Sequence, residues 1–129
     1  MRSNSIIAAS VLLAVVGVPA AAHHSFAAVF DRDRPIELTG TVTEIEWMNP
    51  HVWIYIDVKG ARGKVESWGF ELGSPNGLIR RGWSRDALTV GQVVTIAALR
   101  AKDDSNRGSV RTVTLSTGES LFGAQDESR

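Results

Sequence analysis

Val52-Trp53-Ile54-Tyr55-Ile56-Asp57-Val58 alternates aliphatic residues with aromatic or acidic ones without a break. Unbroken alternation is the period of an extended strand, whose side chains point to opposite faces in turn. Val52, Ile54, Ile56 and Val58 therefore share one face, while Trp53, Tyr55 and Asp57 share the other. β-branched and aromatic residues suit that pleated geometry. Because both faces carry apolar groups, one must enter the core and the other must be covered or used.

Reading outward gives four more strands. Upstream, Ile36 to Met48 is long, and Asn49-Pro50 ends it with turn chemistry. Ile36, Leu38 and Val42 share one parity, whereas Ile45 and Trp47 share the other. A switch of face within one strand predicts a bulge near Thr43 and Glu44, with Gly40 easing a bend. Downstream, Gly60-Ala61-Arg62-Gly63 makes a hairpin loop into a third strand, Lys64 to Leu72, with Trp68, Phe70 and Leu72 on one face. Gly73-Ser74-Pro75-Asn76-Gly77 stops that strand. A short helix is expected over Leu78–Trp83, with Leu78, Ile79 and Trp83 on its apolar side, and Ser84 as N-cap of a further turn to Leu88. The remaining strands are Gln92–Lys102 and Ser109–Ser116, separated by a polar loop. The order β-β-β-α-β-β with a long, bent first strand is that of an OB-like five-stranded antiparallel barrel, an all-β fold with little helix. Another small antiparallel barrel or a sandwich is the rival architecture.

The domain is expected over residues 36–123, preceded by an arm at 23–35 and followed by a frayed tail at 124–129. Phe26 and Phe30 are possible anchors of the arm, and Asp31-Arg32-Asp33-Arg34 reads as solvated. Residues 1–22 read as a signal peptide: Arg2 supplies the basic start, Ile6 to Val18 the apolar run, and Ala20-Ala21-Ala22 a small-residue cleavage site. The apolar run falls short of the roughly 20 residues that span a bilayer, so no membrane span is expected after processing, and the product is periplasmic or secreted. The full chain has 14 basic and 14 acidic side chains; loss of Arg2 leaves 13 against 14, a net charge of −1. Such a chain lacks the basic footprint of a nucleic-acid binder. It has no cysteine, which removes disulfides, thiolate metal sites and thiol catalysis.

Three histidines carry what chemistry the sequence offers. His23 and His24 fall at the expected mature start, and His51 lies in the loop joining the first two strands, which borders the ligand face of an OB fold. Cleavage after Ala22 would let the α-amine and imidazole of His23 chelate one ion, with His24 or His51 completing the set. Cleavage after Ala20 would make His23 the third residue, giving an amine, two amides and an imidazole in a plane. Both sets are rich in nitrogen, which favours Cu(II) or Ni(II), and Cu(II) is the leading choice. Copper is thus the candidate cofactor, held by His23, His24 and His51; the bland alternative is a solvated terminus and a structural loop histidine. A second candidate site is aromatic. Trp53 and Tyr55, with Trp47 and Asn49 nearby, could form a ligand face for a peptide, a glycan or a partner protein. Trp47, Trp68 and Trp83 also suit core packing. Glu44 and Glu46 share a strand face, and no nucleophile motif or phosphate-cradling loop is present.

His23-His24-Ser25-Phe26, Leu38-Thr39-Gly40-Thr41-Val42, Glu46-Trp47 and Asn49-Pro50-His51 form an ordered string of motifs. Phe70-Glu71-Leu72-Gly73-Ser74-Pro75-Asn76, Leu78, Arg80-Arg81-Gly82-Trp83, Arg100-Ala101-Lys102-Asp103 and Leu121-Phe122 extend it. In these the chain resembles a family of short exported bacterial proteins classed as a domain of unknown function. The resemblance covers almost all of the expected mature chain and departs at Gly69 and Gly77, where alanine is expected. It implies a signal peptide and a small periplasmic β-barrel, and it brings no activity. The expected function is therefore an exported binding module for a transition metal. The alternatives are an accessory subunit that binds through its aromatic face and a copper-dependent oxidase.

Overall fold

The first strand, β1 (Phe30–Glu46), is long enough to have two neighbours in turn. The computed structural model describes residues 26–123 of the chain; the segment 1–22, His23, His24 and the tail 124–129 lie outside the described residues. From Pro35 to Thr41, β1 pairs antiparallel with β4 (Val93–Ala101), and from Thr41 to Glu46 it pairs antiparallel with β2 (Trp53–Lys59). Thr41 is the changeover, opposite Val93 on one side and Asp57 on the other. The register with β2 then shifts between Val42 and Glu44, so Thr43 is the extra residue of the expected bulge. That residue reverses the faces: Val42 is fully buried before it, and Ile45 packs on the core after it.

A ring of hydrogen-bonded strands follows. β2 pairs with β3 (Val65–Glu71) through a turn of 3-10 helix at Ala61–Gly63. β4 pairs with β5 (Arg107–Leu115), and β3 meets β5 in a short parallel contact over Gly69–Glu71 and Arg107–Ser109. Every other pairing is antiparallel. The protein is mostly β, and its sheet of six strands closes on itself through β3 and β5. Inside the ring lie Val42, Ile54, Ile56, Trp68, Phe70, Val94, Ile96 and Val113, packed with Leu72, Leu78 and Trp83. The alternation expected of β2 holds: Val52, Ile54 and Ile56 are fully buried, and Trp53, Tyr55 and Asp57 are half-buried.

Four expectations need correction. The helix is α2 (Pro75–Arg80), three residues earlier than its predicted start. Ser74-Pro75 had the chemistry of a helix start rather than a strand stop: the Ser74 hydroxyl accepts from the Gly77 amide at 3.2 Å, and proline needs no partner for its missing N–H at the first helical position. Ile79 is consequently exposed, while Trp83 follows the helix and its indole donates to the Phe122 carbonyl at 2.8 Å. Ser84 to Leu88 forms a hydrogen-bonded turn, with no helix. A sixth strand, β6 (Ser120–Phe122), adds to the edge of β5; three residues are too few to show a period. The stretch read as a solvated arm is structured from Phe26 onward. α1 (Phe26–Val29) leads into β1 at Phe30, which is buried with Leu99 and Ala101 in a second apolar cluster on the outer side of the ring. Phe26 and Val29 pack on that cluster, with the Phe26 and Phe30 rings 5.5 Å apart, so both phenylalanines are indeed anchors. Alternating charge in 31–34 masked a strand whose backbone pairing and buried Phe30 outweigh its polar side chains.

Gly40 stands where β1 leaves β4 for β2. A Cβ there would come within 2.5 Å of the Asp57 carbonyl oxygen and 3.1 Å of the Ile56 side chain. The strand can cross so close only because glycine carries no side chain. Gly40→Ala should therefore destabilise the fold by about 1–3 kcal/mol, the usual cost of overpacking, read as a lower urea midpoint at unchanged slope. An unchanged midpoint would show that the crossing is slack.

Candidate functional site

Cross-strand pairing places one row of residues around the outer side of the ring. Glu46 on β1 lies opposite Trp53 on β2, Trp53 opposite Glu71 on β3, Glu71 beside Ser109 on β5, and Ser109 opposite Leu99 on β4. Residues directly opposite one another put their side chains on the same face. The next row reads Glu44, Tyr55, Gly69 and Arg107. α1 and Phe30 cover the Leu99 end of this surface, and the Trp53–Tyr55 end is left half-exposed.

The two rings of that end are nearly parallel, at 18°, with centroids 6.3 Å apart. Tyr55 fits because its cross-strand partner has no side chain. A Cβ on Gly69 would lie 3.1 Å from the Tyr55 ring and 3.8 Å from that of Trp53, and the rings bury the glycine. This is the physical content of the glycine found where alanine was expected. The Tyr55 hydroxyl donates to Glu46 Oε2 at 3.3 Å. Burial of the phenol pushes its pKa above the ordinary tyrosine value, and the charge of Glu46, its hydrogen bond and the charge of Glu44 push it the same way. The shared face predicted for Glu44 and Glu46 thus becomes a pair of carboxylates around one phenol.

At the top of the same face, His51 Nδ1 pairs with Glu71 Oε1. The His51 side chain is 42% exposed and that of Glu71 only 15%. Asn49 and Pro50, joined by a cis peptide bond, lie exposed in the same loop. The backbone after them is held by Val52 N donating to Gly73 O at 3.0 Å. His23 and His24 lie outside the described residues, and among the described residues no group of three or more His, Asp or Glu side chains stands ready for a metal. Trp47, placed with the ligand face by sequence, packs instead on Trp83 at 6.4 Å and on the core; the bulge at Thr43 gives it the parity of Ile45. Trp68 and Trp83 are core residues, as expected.

Neither Glu71 nor Gly69 is among the site residues expected from sequence. Their parity was legible, since both alternate with Trp68, Phe70 and Leu72 and so face outward. Their partners were not, because the register between β2 and β3 decides that Glu71 adjoins Trp53 and that Gly69 lies by Tyr55.

Residues 10–111 match the family described as Family of unknown function (DUF6152), and the chain belongs to that family. No curated protein and no solved structure matches it. Among the described residues no helix is long and apolar enough to cross a membrane. The family match brings no residue roles, so the face is tested through its own chemistry. Tyr55 is the only tyrosine of the chain, and its ionisation can be followed directly by ultraviolet absorbance. It should titrate above the ordinary value, and Glu46→Gln should lower its pKa by removing the negative charge beside the phenol while keeping an oxygen acceptor. An identical titration in the variant would show that Glu46 exerts no field on the phenol.

Proposed function

We propose that this member of the DUF6152 family is an exported periplasmic protein that binds Cu(II), with His51 as the fixed ligand and the histidines of the mature N-terminus closing the site. The observation that carries this reading is the pairing of His51 Nδ1 with the half-hidden carboxylate of Glu71. A carboxylate behind one ring nitrogen fixes the imidazole tautomer and orients the ring, as in metal-ligating histidines generally. The coordinating atom would then be His51 Nε2. A chain without cysteine offers only nitrogen and oxygen donors of this strength, a set suited to Cu(II).

The fold supports the reach that the site needs. Phe26 is anchored on the cluster of Phe30, Leu99 and Ala101. Leu99 pairs with Ser109 and Ser109 with Glu71, so the anchor and the His51–Glu71 pair are two strand spacings apart, roughly 10 Å. Three extended residues, the separation of His23 from Phe26, span at most about 10–11 Å. The strand order, with β3 beside β5 and the helix between β3 and β4, also supports reading the ring as an OB-like barrel, whose loop between the first two strands borders the ligand surface. The leader at 1–22 supports export, and cleavage after Ala22 or Ala20 gives the two amine-containing ligand sets described above.

The test begins with the mass of the mature protein from the periplasm, which gives its first residue, and continues with Cu(II) competition titrations. His51→Ala should weaken binding at least tenfold, and Glu71→Gln, which leaves the ligand but removes its carboxylate support, about 10–100-fold. Equal affinity in wild type and His51→Ala removes His51 from the site. A mature chain that retains its leader removes the terminal amine.

A further inference from the structure

β2 turns two aromatic rings outward at a place where the ring of strands needs no more apolar surface. Trp53 and Tyr55 are half-buried, whereas Ile54 and Ile56 between and beside them are fully buried. Their centroid separation of 6.3 Å is close to the repeat of alternate residues along a strand, about 6.8 Å. The planes of the two rings are within 18° of parallel, in a stacked arrangement. Gly69 on the neighbouring strand brings no side chain to cover them, and both rings stay half-exposed. The surroundings are acidic. Glu44 is exposed beside Tyr55, and Glu46 accepts from the Tyr55 hydroxyl. Glu71 lies beyond Trp53, held by His51, and Asp57 follows Tyr55 on the same face, where it accepts from the Ser67 hydroxyl. The cation nearest in register is Arg107, opposite Gly69, and Asp103 already engages it at 2.9 Å.

We infer that this face docks an arginine-bearing segment of a partner protein, with the guanidinium lying on the Trp53–Tyr55 platform and reaching the carboxylates of Glu44 and Glu46. Charge complementarity selects this occupant. A neutral glycan would stack on the rings and donate hydroxyls to the carboxylates but bring no opposite charge, and an acidic segment would be repelled. Arginine fits better than lysine because its planar, weakly hydrated group both stacks on aromatic faces and takes carboxylates in a two-pronged geometry. The protein uses the same pairing within itself: the Arg100 guanidinium lies over the Trp68 ring at 5.5 Å, and that of Arg32 over Phe26 at 5.6 Å. The rings of Trp53 and Tyr55 and the carboxylates of Glu44 and Glu46 involve no histidine, so the docking surface stands or falls apart from the metal reading.

The experiment titrates the mature protein, without added metal, with a blocked Ala-Arg-Ala-Arg-Ala peptide. It is followed by the indole signals of the four tryptophans in 1H–15N spectra and by fluorescence. The Trp53 indole should shift saturably and those of Trp68 and Trp83 should not. The same peptide with citrulline in place of arginine keeps the shape and loses the charge, and should bind at least tenfold more weakly. Glu44→Gln with Glu46→Gln removes charge from exposed or half-exposed positions without altering the core, and should weaken binding at least tenfold at an unchanged thermal midpoint. Raising the salt should weaken the wild type more than the double variant. Equal binding of the citrulline peptide, an unaffected double variant, or shifts confined to other tryptophans would each overturn the inference. So would tighter binding of an uncharged oligosaccharide than of the arginine peptide.

Discussion

The structure depends on one strand serving two neighbours. β1 gives its first part to β4 and its last part to β2, and the ring of strands exists only because it does both. Two local features permit it. Gly40 lets the backbone pass against the Asp57 carbonyl, and Thr43 adds the residue that turns Ile45 inward where Val42 had been. Without the extra residue, Glu44 and Glu46 would point into the core and Ile45 and Trp47 into solvent. The bulge thus serves both sides of the sheet: it completes the core with Ile45 and Trp47, and it sets two carboxylates beside Tyr55 on the outside.

The outer face shows how a ring of strands brings together what the chain separates. Glu46, Trp53, Glu71, Ser109 and Leu99 come from five strands and form one row. One end of that row is sealed by apolar contact, since Phe30 and α1 bury Leu99. The other end keeps two rings, three carboxylates and one imidazole near water. Gly69 separates the two behaviours, because a side chain there would fill the space the Tyr55 ring occupies. The metal reading uses the His51 end of the same face, through the carboxylate that holds its ring.

Periodicity carried much of this in the sequence itself. The alternation of Val52 to Val58, the parity switch in the first strand and the turn residues between strands were enough for an all-β order, a bulge near Thr43 and Glu44, and the grouping of Ile54 with Ile56 and of Trp68 with Phe70 on shared faces. These are local signals, and the physics behind them is local: a strand shows its two faces in its own sequence. The misread elements were those whose signal is short or ambiguous. Ser74-Pro75 serves equally as a turn and as a helix start, and three residues of β6 have no period. The strand at Phe30 hides behind four alternating charges.

Pairing between strands was beyond the sequence, because register is settled by contacts between residues far apart along the chain. Only the tertiary structure joined His51 to Glu71, laid Tyr55 beside Gly69 with its hydroxyl on Glu46, and carried Trp47 away from the aromatic face into contact with Trp83. The sequence by itself determined which residues share a face, since that follows from the two-residue repeat of each strand. Which outward residues become neighbours was decided by the closure of the ring, where one residue of slip would have assembled a different surface.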